Sequence, residues 1–161
     1  MGSSPYEYVL NYSPTSLSFV HRTFNPQDLD FFLRSLQHIY KSKGGLESVL
    51  DLQYGAKQAI VNLRNTFIEI EHEERSLKHL ANPIKGSSAK RINMFLRWMI
   101  RNDGKGVDFG LWNPSYQSQL MVPLDVHTGN SARALGLIRR KANDWKSLEE
   151  LMSHLMKIDP Q

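Results

Sequence analysis

Two residues in this sequence carry chemistry that their positions make unusual. Lys90 follows Gly86-Ser87-Ser88-Ala89 and opens the run Lys90-Arg91-Ile92-Asn93-Met94-Phe95-Leu96-Arg97-Trp98-Met99-Ile100-Arg101. A lysine in the first turn of a helix is electrostatically misplaced, because the positive helix end disfavours an ammonium. The same field favours the free amine, and Arg91 beside it adds repulsion. A free amine is a nucleophile for a carbonyl-like carbon or a sugar C1′. The alternative is a lysine that simply faces water on a basic surface. Asp125 follows Met121-Val122-Pro123-Leu124 and opens a second helix. An aspartate there commonly serves as N-cap, yet an apolar approach that ends in a carboxylate also presents an active-site acid. His127, two residues on, is placed to orient it or to contact a phosphate. A carboxylate close to Lys90 would favour the ammonium, whereas the helix end and Arg91 oppose it.

Gly86-Ser87-Ser88-Ala89 reads as a tight turn ahead of a helix, whose backbone N–H groups and dipole suit a phosphate. Lys85 and Arg91 flank it, while Arg97 and Arg101, spaced i, i+4, read as an outer stripe. A second cluster, His72 and His79 with Glu69 and Glu73, falls two turns apart on one expected helix. It lacks the i, i+4 histidine pair of a zinc-binding helix, so it reads as a solvated polar face. No metal and no cofactor is expected. His38 and His154 have no partner in sequence. His21-Arg22 precedes Thr23-Phe24 where a loop leads into a helix, which suits a structural or phosphate-side role.

The elements that must position these residues are helical. Apolar residues recur at helical spacing and β-type alternation is scarce, which predicts an all-α fold. Asn25-Pro26-Gln27-Asp28 is a helix start with Asn25 as cap, and Leu29, Phe32, Leu33, Leu36 and Tyr40 share one face up to Gly44-Gly45. A short helix is expected over Leu46–Leu52. A longer one is expected from Ala56 to about Glu74, with Ile60, Leu63, Phe67 and Ile70 inward. Ala81-Asn82-Pro83 breaks the chain. The next helix spans Ser87–Arg101 with Ile92, Phe95, Leu96 and Met99 in its core stripe. Residues 107–124 lack periodicity and read as a long loop with one turn of helix. Asp125–Leu135 is another short helix. Ser147–Lys157 is the last, with a capping box from Ser147 to Glu150 and a stripe of Leu148, Leu151, Met152 and Leu155.

The 161 residues are 40% hydrophobic and 22% charged, ordinary globular usage that excludes disordered and collagen-like classes. The absence of cysteine excludes disulfides, thiolate metal sites, iron–sulfur clusters and cysteine nucleophiles. No apolar stretch approaches the ~18 residues of a membrane span. Met1-Gly2-Ser3-Ser4 leads into Pro5-Tyr6-Glu7-Tyr8 without a secretory signal, so a cytoplasmic protein with no membrane partner is expected. Basic charge is unevenly spread. Residues 1–84 hold 8 Lys and Arg against 9 Asp and Glu, and residues 85–161 hold 12 against 7. That bias is compatible with a polyanionic partner.

Gly86-Ser87-Ser88-Ala89-Lys90 resembles the hairpin and lysine of the helix-hairpin-helix DNA glycosylase superfamily, which includes endonuclease III. Leu124-Asp125-Val126-His127 looks like that family's aspartate motif, and Leu135-Gly136-Leu137 falls at its spacing beyond the aspartate. Trp145-Lys146-Ser147-Leu148-Glu149-Glu150-Leu151 through Lys157-Ile158-Asp159-Pro160 resembles its next helix and closing proline. The run 90–99, then Val107-Asp108-Phe109-Gly110-Leu111-Trp112, then Pro123-Leu124-Asp125 is typical of a bacterial family known as a domain of unknown function, as is His21-Arg22-Thr23-Phe24. The longer loop between Lys90 and Asp125 is similar to that of the archaeal 8-oxoguanine glycosylases.

The resemblance implies a base-excision repair glycosylase or glycosylase/AP lyase with DNA as partner. Lys90 would attack C1′ and Asp125 would assist base departure. Lys85, Gly86, Ser87, Ser88, Arg91 and His127 would contact DNA. Phe109, Trp112 and Tyr116, with Trp98, would line a pocket for a flipped base. On this reading residues 1–84 supply N-terminal helices and 85–161 the hairpin and catalytic-type region of a single helical domain. The sequence has one hairpin glycine where the family commonly has two. It has Asn130 where an arginine often follows the aspartate, with Arg133 nearby. Its ends fall inside the expected fold, so a fragment incomplete at both ends is expected. The alternative is a non-catalytic nucleic-acid-binding or protein-interaction helical domain. The sequence sets no oligomeric state.

Overall fold

A computed structural model describes residues 4–14, 18 and 21–159. The helices are α1 (Pro5–Leu10), α2 (Pro26–Ser42), α3 (Leu46–Val49), α4 (Gly55–Ile68), α5 (Lys90–Ile100), α6 (Val126–Ala134) and α7 (Trp145–Ile158). Short 3-10 turns lie at Leu52–Tyr54, Glu74–His79, Pro83–Lys85 and Pro114–Gln119. Among the described residues there is no strand, only isolated bridges such as His21 with Phe24 and Ser87 with Asp144. The fold is all-α. The chain divides into two compact units, one of residues 1–51 and 62–80, the other of residues 52–61 and 81–161.

In the first unit α2 is the organising helix. Its start is as the sequence predicts: Asn25 Oδ1 accepts the Asp28 N–H, and Asp28 Oδ2 accepts the Asn25 N–H, each at 2.9 Å. Its buried face differs from expectation. Phe31, Leu33, Ser35 and Ile39 are buried, whereas Leu29, Phe32, Leu36 and Tyr40 are only half-buried. The helix is turned because two polar residues on that face find partners. The Ser35 hydroxyl donates to the Phe31 carbonyl, and Asp28 is wholly buried. Arg75 donates to both Asp28 oxygens at 3.0 Å, Ser76 Oγ at 2.6 Å, and His79 Nε2 lies 3.2 Å away. Arg75 also reaches the Thr23 carbonyl. The segment 74–79 is thus tied to the start of α2 by one carboxylate.

The helix expected from Ala56 to about Glu74 ends at Ile68. Glu69, Glu71, Glu73 and Glu74 would crowd its negative end, which acidic side chains destabilise. Glu69 instead meets His38 of α2 and Lys43, the residue that ends it, each at 2.8 Å. His72 and His79 therefore do not share a helix. His72 Nδ1 bonds the Ile70 carbonyl, and His79 faces Asp28. The helix expected over Leu46–Leu52 is likewise shorter, ending at Val49 before the turn 52–54.

In the second unit α5, α6, α7 and the first turns of α4 enclose one core of Ile60, Ala89, Leu124, Ala132, Ile138, Trp145, Leu148 and Leu151. α7 starts two residues earlier than the sequence suggests. Asp144, not Ser147, is its cap and accepts the Ser147 N–H at 2.9 Å. The Ser147–Glu150 box does not form, because the Ser147 hydroxyl turns to the Ala142 carbonyl and Glu150 accepts the Arg139 N–H. Residues 107–124 form the expected loop, but its helical part, the 3-10 segment Pro114–Gln119, is about two turns long rather than one. Pro160, the expected closing proline, lies outside the described residues, as do Met1, Gly2 and Ser3.

Burial pushes the Asp28 carboxyl up, but Ser76, the Asn25 amide, Arg75 and His79 outweigh it and hold it below its ordinary value. A depressed carboxyl contributes stability above its unfolded pKa of about 3.9, and the contribution is lost as pH falls through the folded value. Asp28→Asn should lower unfolding free energy by about 2 kcal/mol or more at pH 7. Urea titrations across pH should show that deficit shrinking below about pH 4. A deficit independent of pH would show that the charge of Asp28 is not what binds segment 74–79.

Candidate functional site

The site is built where two helix starts meet. Lys90 is the first residue of α5, and Asp125 is the N-cap of α6. Lys90 Nζ lies 2.9 Å from Asp125 Oδ2, although 35 residues separate them. The side chains are 47% and 28% exposed, so the pair opens to solvent. Asp125 Oδ1 meanwhile accepts the Thr128 N–H at 2.8 Å. The Thr128 amide first, and then Lys90, hold the Asp125 carboxyl well below the usual carboxylate range. The capping and ion-pairing roles are therefore simultaneous, one oxygen to each.

α5 starts later than expected, because Ser87 does not cap it. The Ser87 Oγ accepts the Ala89 N–H at 3.2 Å within the turn. Ala89 precedes Lys90 in a left-handed conformation, φ 48°. That costs a non-glycine residue about 1–2 kcal/mol. Its methyl is buried in the core with Leu124 and Trp145. Asn93, wholly buried, donates from Nδ2 to the Ser88 carbonyl at 3.0 Å. Gly86, at φ 92°, ends the Pro83–Lys85 turn in a conformation that favours glycine.

Three segments converge here. Ser88 Oγ donates to the Leu124 carbonyl at 3.3 Å, joining the turn directly to the residue before Asp125. The Trp145 N–H donates to the Gly86 carbonyl at 2.9 Å, and Ser87 bridges Asp144. Asn143 Nδ2 donates to the Asp125 carbonyl at 3.2 Å. Lys85 and Arg91 are exposed at either end of the turn, and His127 is exposed in the first turn of α6.

The aromatic candidates are held at the other end of α5. The N–H groups of Phe109 and Gly110 donate to the Trp98 carbonyl, and that of Trp112 to the Met99 carbonyl. At 1.5 Å per residue this is about 12 Å along the helix from Lys90. Trp112 packs edge-to-face on Phe95 with centroids 5.4 Å apart. Phe109 is 55% exposed, and Tyr116 is half-buried. Arg97 and Arg101 are not a free outer stripe. Both reach the buried Asp108, Arg97 at 3.3 Å and Arg101 at 3.7 Å. They border a cleft of about 330 Å³ floored by Leu120, Met121, Val122 and Pro123.

Sequence reasoning missed Asn93, Asp108 and Asn143. Two arginines at i, i+4 repel unless a carboxylate lies between them, which was the available signal for Asp108. Asn143 gave none, since its partners are backbone carbonyl and guanidinium groups remote in sequence. Among the described residues, no three His, Asp or Glu side chains are grouped to hold a metal ion. No helix there is long and apolar enough to cross a membrane.

The chain is an all-α protein whose candidate site pairs a helix-opening lysine with a helix-capping aspartate. It belongs to the family described as a protein of unknown function (DUF2400), whose model matches residues 1–161. No curated protein and no solved structure matches it.

Asp125→Asn should keep the cap on Thr128, because an amide oxygen still accepts the N–H, whereas Asp125→Ala should lose it. Amide hydrogen exchange is the check: Thr128 exchange should accelerate in the alanine variant and stay near the native rate in the asparagine variant. Equal exchange in both would remove the capping role.

Proposed function

We propose that this chain is a helix-hairpin-helix DNA glycosylase, or glycosylase/AP lyase, that removes a damaged base. The observation that carries the reading is the 2.9 Å contact between Lys90 and Asp125 at two helix starts. The turn 86–89 ahead of α5 would be the hairpin. A lysine and a carboxylate so placed, and open to solvent, suit attack on an extruded nucleotide. Lys90, once its proton has passed to water, forms a bond from Nζ to C1′ as the glycosidic bond breaks. Asp125, still ionised, stabilises the positive charge that develops on the sugar, and the departing base takes a proton from water. Ring opening then gives a Schiff base, and loss of the 2′ proton expels the 3′ phosphate, which cuts the strand.

The turn supports the DNA part of the reading. The first N–H groups of a helix have no intrahelical partner, and Lys85 and Arg91 stand exposed beside those of α5. Such a start holds a phosphate oxygen without reading sequence. Replacing Lys85 and Arg91 together by Ala should weaken duplex binding equally across sequences. It should also flatten the salt dependence by about two phosphate contacts. Unchanged affinity at low salt would put the groove elsewhere.

Lys90→Ala should abolish borohydride trapping on abasic DNA and leave binding nearly intact. Asp125→Asn should keep binding and slow base release by about a hundredfold or more, because transition-state stabilisation is lost while ground-state affinity is kept. A native protein that binds DNA with a steep salt slope yet neither traps nor releases a base on a broad lesion panel is a non-catalytic binding module. A flat salt slope would leave only protein interaction.

A further inference from the structure

Arg133 and Asn143 link α6 to the loop that leads into α7. The Arg133 guanidinium is spent on one loop. Nε donates to the Arg140 carbonyl at 2.7 Å, and Nη2 to the carbonyls of Lys141 and Ala142 and to Asn143 Oδ1, the last at 2.6 Å. A guanidinium presents its donors in a rigid fork, so the loop and the Asn143 carboxamide are fixed relative to α6. The other end of that carboxamide, Nδ2, donates to the Asp125 carbonyl at 3.2 Å. The same carbonyl accepts the Gly129 N–H at 2.8 Å.

Gly129 gives the carboxamide its room. It is buried inside α6, and a Cβ there would collide with Asn143 Oδ1 and crowd the Arg133 guanidinium. A helix-interior glycine is unfavourable on propensity alone, so the space is the physical reason for it. One residue beyond Asn143, Asp144 caps α7 and bridges Ser87. The next N–H, that of Trp145, holds the Gly86 carbonyl. Arg140 pairs with Asp144 at 2.6 Å across the bend at 141–142. Three consecutive residues, 143–145, thus bond on one side to the backbone of Asp125 and on the other to the backbone of the turn that delivers Lys90.

We propose that Asn143, clamped by Arg133 in the space left by Gly129, is the positioning residue that sets the distance between Lys90 and Asp125. Its catalytic consequence rests on the glycosylase reading, and its geometric consequence does not. Asn143 touches neither reacting group's side chain. It acts on the main chain of Asp125, so its loss lets the carboxylate swing from Lys90 while Thr128 still caps it. Misplacement of a reacting group by about 1 Å can cost a hundredfold in rate.

The test compares the full chain with Asn143→Ala and Gly129→Ala, the second displacing the carboxamide without removing it. Carboxyl-carbon NMR titration follows Asp125, trapping on abasic DNA follows the chemistry, and thermal melting follows the fold. In either folded variant Asp125 should titrate about one pH unit or more closer to the ordinary carboxylate range. The trapping rate at saturating DNA should fall by about tenfold or more, with DNA affinity unchanged within about twofold. An unmoved Asp125 titration in a folded variant overturns the proposal. So does loss of the fold in both variants, which would make the residue structural. If Asp125 moves as expected but the native protein traps nothing, the positioning role stands and the glycosylase reading falls.

Discussion

An ammonium at the amino end of a helix is opposed by every free N–H around it, and the second unit is arranged to answer that opposition. Lys90 cannot rely on its own helix, which offers only positive ends and Arg91. The counter-charge has to come from another element, and it comes from the start of α6. The helix that supplies it needs an acceptor at the same point, because its own first amides are equally unsatisfied. One carboxylate meets both demands, with Oδ1 to the Thr128 N–H and Oδ2 to Lys90. Two helix starts that would each repel a lysine are thereby joined through a lysine.

This explains why the surrounding bonds are made to main-chain atoms. Ser88 to Leu124, Trp145 to Gly86, Asn143 to Asp125 and Asn93 to Ser88 all fix carbonyl groups next to the two key residues. Side chains at the site remain half-exposed and could otherwise adopt many rotamers. Holding the backbone on both sides leaves Lys90 and Asp125 little but their own torsions to order, which lowers the entropic cost of bringing them together.

Much of this was legible because its signals are local. Asn25-Pro26-Gln27-Asp28, the spacing of Ile60, Leu63 and Phe67 in α4, and Asp125 at the head of α6 are read within one helical turn, whereas of the stripe expected in α5 only Leu96 is buried, beside Asn93 and Ile100. The parts that were not legible depend on partners far away in sequence. The buried face of α2 was misjudged because an aspartate and a serine lie on it, and Arg75, Ser76, His79 and the Phe67 carbonyl, all remote in sequence, help make that tolerable. The cap of α7 was misplaced because Ser147 and Glu150 have the pattern of a capping box. Asp144, three residues before Ser147, takes the role, and the Trp145 amide is committed to Gly86. Pairing Lys90 with Asp125 came from family resemblance, since nothing in either local sequence names the other.

The left-handed alanine before Lys90 carries a consequence for motion. Turns without regular structure ordinarily shift on nanosecond to microsecond timescales. Ala89 is held in a costly backbone conformation by a methyl that sits among Leu124, Ala132 and Trp145. Relaxing that conformation would pull the methyl out of the core, so the turn cannot loosen while the core stays packed. The amine of Lys90 therefore swings on its own side chain from a base as slow as the interior, and large excursions of that base belong to the opening of the whole unit.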